Sequence, residues 1–136
     1  MGVKVTGDDL GKQFQKVIVQ AVEQASQEAM NDVGDLIQRK ASKDAPLDTG
    51  KLRLSIYKKI HQWRHRKKTT VEIGSMGAVD RENGERYAVI QHETAEFNHP
   101  KGGRWKYIER NAYESVFYIR RKVVAKMRKH LRRLSK

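Results

Sequence analysis

Apolar positions in the first third of the chain recur at steps of three and four. Leu10, Phe14, Val17, Ala21, Ala25, Ala29, Val33, Leu36 and Ile37 trace one helix face, and Lys16, Gln20, Gln24, Gln27 and Asp35 fall on the other. Thr6 or Asp8 offers an N-terminal cap, and Asp8 and Asp9 suit the positive end of the helix dipole. The alanines on the apolar stripe permit close approach of another element. The pattern predicts one long helix ending near Lys43, stopped by Pro46, which pushes Ala45 out of the helical region.

From Lys51 the period changes to two. Leu52, Leu54 and Ile56 alternate with Arg53, Ser55 and Tyr57, as on a half-buried strand. "HQWRHRKK" (61–68) reads as a basic connection or hairpin tip, and "TTVEIGS" (69–75) as a second strand with Val71 and Ile73 inward. "MGAVDRENGER" (76–86) is a polar loop turning at Asn83-Gly84. "YAVIQHE" (87–93) reads as a third strand, and "TAEFNHPKGGR" (94–104) as a loop broken by Pro100, Gly102 and Gly103. A second long helix follows, striped by Trp105, Ile108, Ala112, Val116, Ile119, Val123 and Met127, continued by Leu131 and widened by Phe117 and Val124. The expected fold is α+β: a long N-terminal helix, a three-stranded antiparallel meander and a long C-terminal helix, the helices packed on one sheet face. Residues 1–136 are expected to form a single domain, with a flexible N-terminus at 1–6 and a basic helix end at 120–136.

Composition adds a partner to this picture. Only 38% of residues are hydrophobic and 33% are charged, so part of the stability is expected to come from neighbours. The net charge of +13 and the pI near 10.1 favour an acidic partner, whether nucleic acid, an anionic membrane or a negative protein surface. Two stretches concentrate the charge. Past Ile119 the polar positions are almost wholly basic, with Arg120, Arg121, Lys122, Lys126, Arg128, Lys129, Arg132, Arg133 and Lys136 uninterrupted by an acid. Around Trp63, the residues Arg64, Arg66, Lys67 and Lys68 combine an aromatic with cations, a mixture that binds phosphates and stacks a base. The alternative for either stretch is a solvated face or one that meets an acidic neighbour. There is no cysteine, hence no disulfide framework or thiolate metal site. The opening residues lack the apolar run of a signal peptide, Gly2 lacks the context of a myristoylation signal, and no stretch reaches the length of a membrane span; no membrane partner is expected.

Candidate chemistry is sparse. Asp48-Thr49-Gly50 matches the triplet of aspartic proteases, but those enzymes hold it between apolar strands in an all-β body. Here a helix and Ala45-Pro46 precede it, and Lys51 and Arg53 follow. The simpler reading is a helix-to-strand turn: Pro46 fixes a torsion, Asp48 and Thr49 bond local amides, and Gly50 adopts a positive φ. His61 and His65 are four apart but lie among cations that repel a metal, and His92-Glu93 with His99 has the wrong spacing for a zinc peptidase. No glycine-rich phosphate loop is present. No catalytic residue, cofactor or metal ligand is expected.

Three segments, in order, carry a family resemblance. They are a helix running into "ASKDAPLDTGKLRLSI", the stretch "YAVIQHE", and "NHPKGGRWKYIERNAYES". Together they resemble the small head–tail joining proteins of long-tailed bacteriophages, the neck, tail-completion, minor capsid or tail components. The basic tip 61–68 and the basic C-terminal end lie outside the resemblance. The resemblance implies a non-enzymatic virion protein, assembled in the host cytoplasm and placed at the neck between head and tail. It implies a six-fold or twelve-fold homo-oligomeric ring that contacts portal or head-completion proteins on one side and tail-terminator or tail-tube proteins on the other. Genomic DNA in the lumen is a further, non-specific partner for the basic surface. A small basic nucleic-acid-binding protein is the alternative.

Overall fold

A computed structural model describes residues 6–47, 50–63, 68–76, 87–96 and 99–135. The elements in chain order are helix α1 (Gly7–Asp44), a helical turn α2 (Lys51–Leu54), strands β1 (Ile56–Trp63) and β2 (Lys68–Ser75), and helices α3 (Tyr87–Glu93), α4 (Tyr107–Glu114) and α5 (Val116–Leu134).

The long N-terminal helix forms as its periodicity predicts. Thr6 caps it, and Asp9 returns the bond to complete a capping box. Ala21, Ala25, Ala29, Val33, Ile37 and Ala41 form its buried stripe. Helix α1 is the spine of the fold, with the β1–β2 hairpin on one side and α5 along another. The hairpin is antiparallel, in register from Ile56↔Ser75 to Trp63↔Lys68. It closes onto α1 at Gly34, where an added Cβ would stand 2.6 Å from Lys58 Cδ and 2.9 Å from Val71 Cγ1. Gln38 Nε2 donates to the Ile56 carbonyl at 2.8 Å, and Lys58 Nζ reaches Asn31 Oδ1 at 2.7 Å and also the Asp35 carboxylate.

Helix α5 runs antiparallel to α1. Asp44 is tied to Asn111 at one end of the pair, and Glu28 to Lys126 and His130 at the other. Its main packing is against α1, and among the described residues α1 is the long helix that packs along the sheet, where two long helices on one sheet face were expected. Residues 7–17 of α1 are all exposed and extend past the described residues of the hairpin and of α5. At 1.5 Å per residue this arm is about 16 Å long.

Three expectations are corrected. Residues 51–54 form a helical turn, and the strand starts only at Ile56. Leu52 and Ile56 are buried and Leu54 is the exposed one, so the operative spacing is four rather than two. The stretch 87–93 is helix α3, leaving a two-stranded sheet among the described residues. Ala88 and Gln91 are buried three apart while Val89 is exposed, a helical pattern that the short apolar run of residues 87–90 does not distinguish from a strand. The C-terminal helix is broken at buried Ser115 into α4 and α5, and α4 begins only after Lys106, whose φ is +50°. Trp105 therefore lies in a turn before the helix, and Ala112 is half-buried. The Asn83-Gly84 turn lies outside the described residues.

The central core is Ala41, Ala45, Leu52, Ile56, Ala88 and Tyr107, with Ile73 and Ile108 packed against it. It lies at the end of the molecule opposite the arm.

Candidate partner-binding surface

The three segments that carry the resemblance converge on that core. After Asp44 the chain leaves α1 and is crossed by the loop before α4. Leu47 N donates to the Gly102 carbonyl at 3.2 Å, and Arg104 N to the Asp44 carbonyl at 2.8 Å. The crossing is so close that a Cβ on Gly103 would lie 2.4 Å from Pro46 Cα, and the Gly103 φ of +121° suits glycine alone. Arg53 Nε donates to the Ala45 carbonyl at 2.9 Å. Helix α3 joins through Lys106 N, which donates to the His92 carbonyl at 2.7 Å, and through an edge-to-face contact of His92 with Tyr107 at 5.0 Å. Asn111, fully buried, donates to Asp44 Oδ2 at 2.8 Å and to the Tyr107 carbonyl at 2.7 Å. Burial raises the Asp44 pKa, but the hydrogen bonds from Asn111 and Arg104 outweigh it and hold the carboxyl below its ordinary range. Arg104 also grips Glu114 at 3.1 Å.

This region holds the structure together. Pro46 is buried under the crossing, and Gly50 has φ +80°, the left-handed turn expected of it. Asp48 and Thr49 lie outside the described residues. A groove of about 680 Å³ opens between hairpin, α3 and α4, lined by Ile73, Ala88, Val89, His92 and Ile108 among others. His61 pairs with Glu72 and His92 with Glu93, while His65 lies outside the described residues. Among the described residues no group of three or more His, Cys, Asp or Glu is placed to hold a metal ion.

The predicted basic contacts separate into four groups. Arg64, Arg66 and Lys67 lie outside the described residues. Lys68 opens β2 beside exposed Trp63, above a cleft of about 600 Å³ against Ile18, Val22 and Ser26 of α1. On α5, Arg120, Arg121, Arg128, Lys129, Arg132 and Arg133 are exposed, and among the described residues none of them has an ion pair. The last four, with Ala125, line a shallow cleft of about 410 Å³.

Lys126 differs from the rest: it turns inward, 3.3 Å from Glu28 and 3.4 Å from Asp32 of α1. Those two acids raise its pKa, and Lys126 in turn, with His130, holds Glu28 below its ordinary range. Among the described residues the helix thus turns Lys126 inward and presents those six cations outward.

His130, which the periodicity reading did not pick out, is buried and lies 3.1 Å from Glu28. The signal was available, since it follows Val123 and Met127 at steps of four and three. Leu131, read as continuing the buried stripe, is instead exposed, as are Val116, Phe117 and Val124.

With this geometry in place, comparison with known families gives a match. The profile of the family described as "Bacteriophage HK97-gp10, putative tail-component" matches residues 8–110. No curated protein and no solved structure matches the chain. The matched span includes α1, the hairpin, α3 and the crossing at Gly103, and stops before α5.

Proposed function

The chain belongs to the HK97-gp10-like family of bacteriophage tail components, and from that premise we propose a specific place for it in the virion. It is a non-enzymatic structural protein of a long-tailed phage, a neck or tail-completion component. It forms a ring that joins the tail to the portal-head complex after assembly in the host cytoplasm. The observation that carries this reading is the division of the molecule. The family-matched span builds the core, whereas two surfaces away from that core, the apolar arm of α1 and the apolar and basic outer side of α5, are left exposed among the described residues. Surfaces of that kind belong to proteins that assemble.

In the ring the outward cations of α5 sum their fields, so the neighbours that fit are acidic rims of the portal or tail-tube side, or DNA in the lumen. Among the described residues no helix is long and apolar enough to cross a membrane. The test is a sizing measurement with and without duplex DNA, paired with in-vitro joining of heads to tails that lack this protein. A multimer that restores joining supports the reading. A monomer that binds DNA tightly and restores nothing overturns it in favour of a nucleic-acid-binding protein, for which exposed Trp63 beside Lys68 would be the contact.

A further inference from the structure

We propose that the projecting arm of α1, residues 7–17, docks along the outer side of α5 of a second copy of this chain, and that repetition of this contact head to tail builds the ring. The inference rests on the ring reading above and supplies its interface. On the arm, Leu10 is 59% exposed, Phe14 68% and Val17 42%. Spaced by four and three, they form one apolar side over the arm. That side continues the one that α5 already covers. Leu10 and Glu28 lie about five turns apart at 3.6 residues per turn, hence in line, and Glu28 is the residue that Lys126 and His130 of α5 engage. The α5-facing side of α1 thus runs on for three turns after its own α5 has ended.

The outer side of α5 is the matching half. Phe117 is 78% exposed, Val124 45% and Leu131 43%. They recur at every seventh position, the spacing of a seam that receives another helix. A face that only met solvent or phosphates would have no use for them. Arg121, Arg128 and Arg132 flank the seam.

Charge decides which helix fits. Two α5 seams face to face would oppose arginine to arginine, which disfavours a symmetric pairing. The arm avoids this. Lys12 and Lys16 point away from Phe14 by about half a turn, at 100° per residue. Asp9, Gln13 and Gln20 border the apolar side along one edge, and Gly11, open on all sides, borders the other and lets a helix approach. Acid and amide against arginine repeat the Glu28 pairing seen within the chain. Because arm and seam are different surfaces, the contact is head to tail and propagates from copy to copy.

The absence of native cysteine makes the test direct. Phe14→Cys and Val124→Cys proteins are mixed and treated with a short bis-maleimide, both in concentrated solution and on joined particles; Gln15→Cys, on the far side of the arm, replaces Phe14→Cys as the control. The expected result is about tenfold or more heterodimer from the Phe14/Val124 pair than from the Gln15/Val124 pair, because docked thiols react at the effective concentration of a bound complex. A chain carrying both Phe14→Cys and Val124→Cys should give a ladder of multimers. Multimers that form and join heads to tails while the two pairs link equally would overturn the interface and leave the ring standing. Monomers in both settings would overturn both.

Discussion

The two ends of α1 live under opposite conditions. At its C-terminal end the chain is crossed, capped and gripped: Asp44 receives Asn111 and Arg104, Gly103 presses on Pro46, and Tyr107 is fully buried. At its N-terminal end the same helix, equally regular and equally striped, carries Leu10 and Phe14 into solvent. Identical periodicity therefore yields a core in one place and an exposed apolar face in the other. The difference lies in what the rest of the chain can reach. The described residues of the hairpin and of α5 run along α1 as far as the region of residues 18–28, and the stripe outlasts them. A stripe longer than its cover is a statement about neighbours.

The sharpest break of this comparison is a charge at the crossed end. Ile56→Asp places an unpaired carboxylate against Leu52, Ala88 and Tyr107, and should cost several kcal/mol, roughly 3 or more, of a total of about 5–15. Tyr107→Ala should cost about 3–5 kcal/mol. Neither variant should show a cooperative thermal transition near that of the parent by circular dichroism. Phe14→Asp, at the other end of the same stripe, should leave the transition within about 0.5 kcal/mol of the parent. Equal losses at the two ends would erase the distinction.

Next in size is the crossing itself. Gly102 and Gly103 both have positive φ, +88° and +121°, but only Gly103 is pressed against backbone. Gly102→Ala should cost about 1–2 kcal/mol from conformation alone. Gly103→Ala adds a clash that neither Pro46 nor Ala45 can relieve by moving a side chain, and should cost about 2 kcal/mol more. Denaturant melts read this difference. Parity between the two would mean that the chains do not meet as closely as the geometry has them.

What the sequence disclosed follows the same division. Helix α1 was legible because thirty-eight residues of consistent period average out local ambiguity, and its cap and stop are chemically explicit. The Gly50 turn was legible for the same reason. The short elements were not. "KLRLSI" satisfies a period of two and a period of four equally, and packing of Leu52 and Ile56 into one core selects the helical turn. "YAVIQHE" contains strand-favouring Tyr, Val and Ile, yet its burial follows Ala88 and Gln91 because Tyr107 and His92 must meet. The basic residues of α5 were identified by composition alone. Their sorting into inward Lys126 and outward Arg128 depends on where Glu28 and Asp32 stand, far away in sequence, and no local pattern carries that.

A smaller effect is expected from acid. Glu28 and Asp44 both have folded-state pKa values depressed below their ordinary ones, 4.5 and 3.8, by the partners described above. For a depressed carboxyl the stabilisation is complete above the unfolded-state value and disappears as pH falls through the folded-state one. Stability should therefore be level near neutrality and fall below about pH 4.5 as these two groups protonate. Glu28→Gln should flatten the upper part of that acid limb, and Asp44→Asn the lower part. Because Glu28 ties α5 to α1 and Asp44 ties α4 to α1, near-ultraviolet dichroism and amide exchange in α5 should report the first loss separately. An acid limb unchanged in both variants would mean that other carboxylates set it.

The smallest effect on the fold, and the most informative about assembly, concerns the outward cations. Replacing Arg128, Lys129, Arg132 and Arg133 together by Gln removes like charges at helical spacing without touching Lys126 or His130. The isolated protein should keep its stability or gain about 0.5 kcal/mol, since such repulsions cost a few tenths each. Joining of heads to tails should nonetheless weaken. The parent should lose joining efficiency as salt rises, because screening at about 1 M shortens the Debye length to roughly 3 Å. The variant should be weaker at low salt and respond little to further addition, since the charges on which screening acts are gone. That crossing of salt profiles separates a working surface from a merely solvated one. If variant and parent join equally at low salt, the cations of α5 face water and the neighbour binds elsewhere.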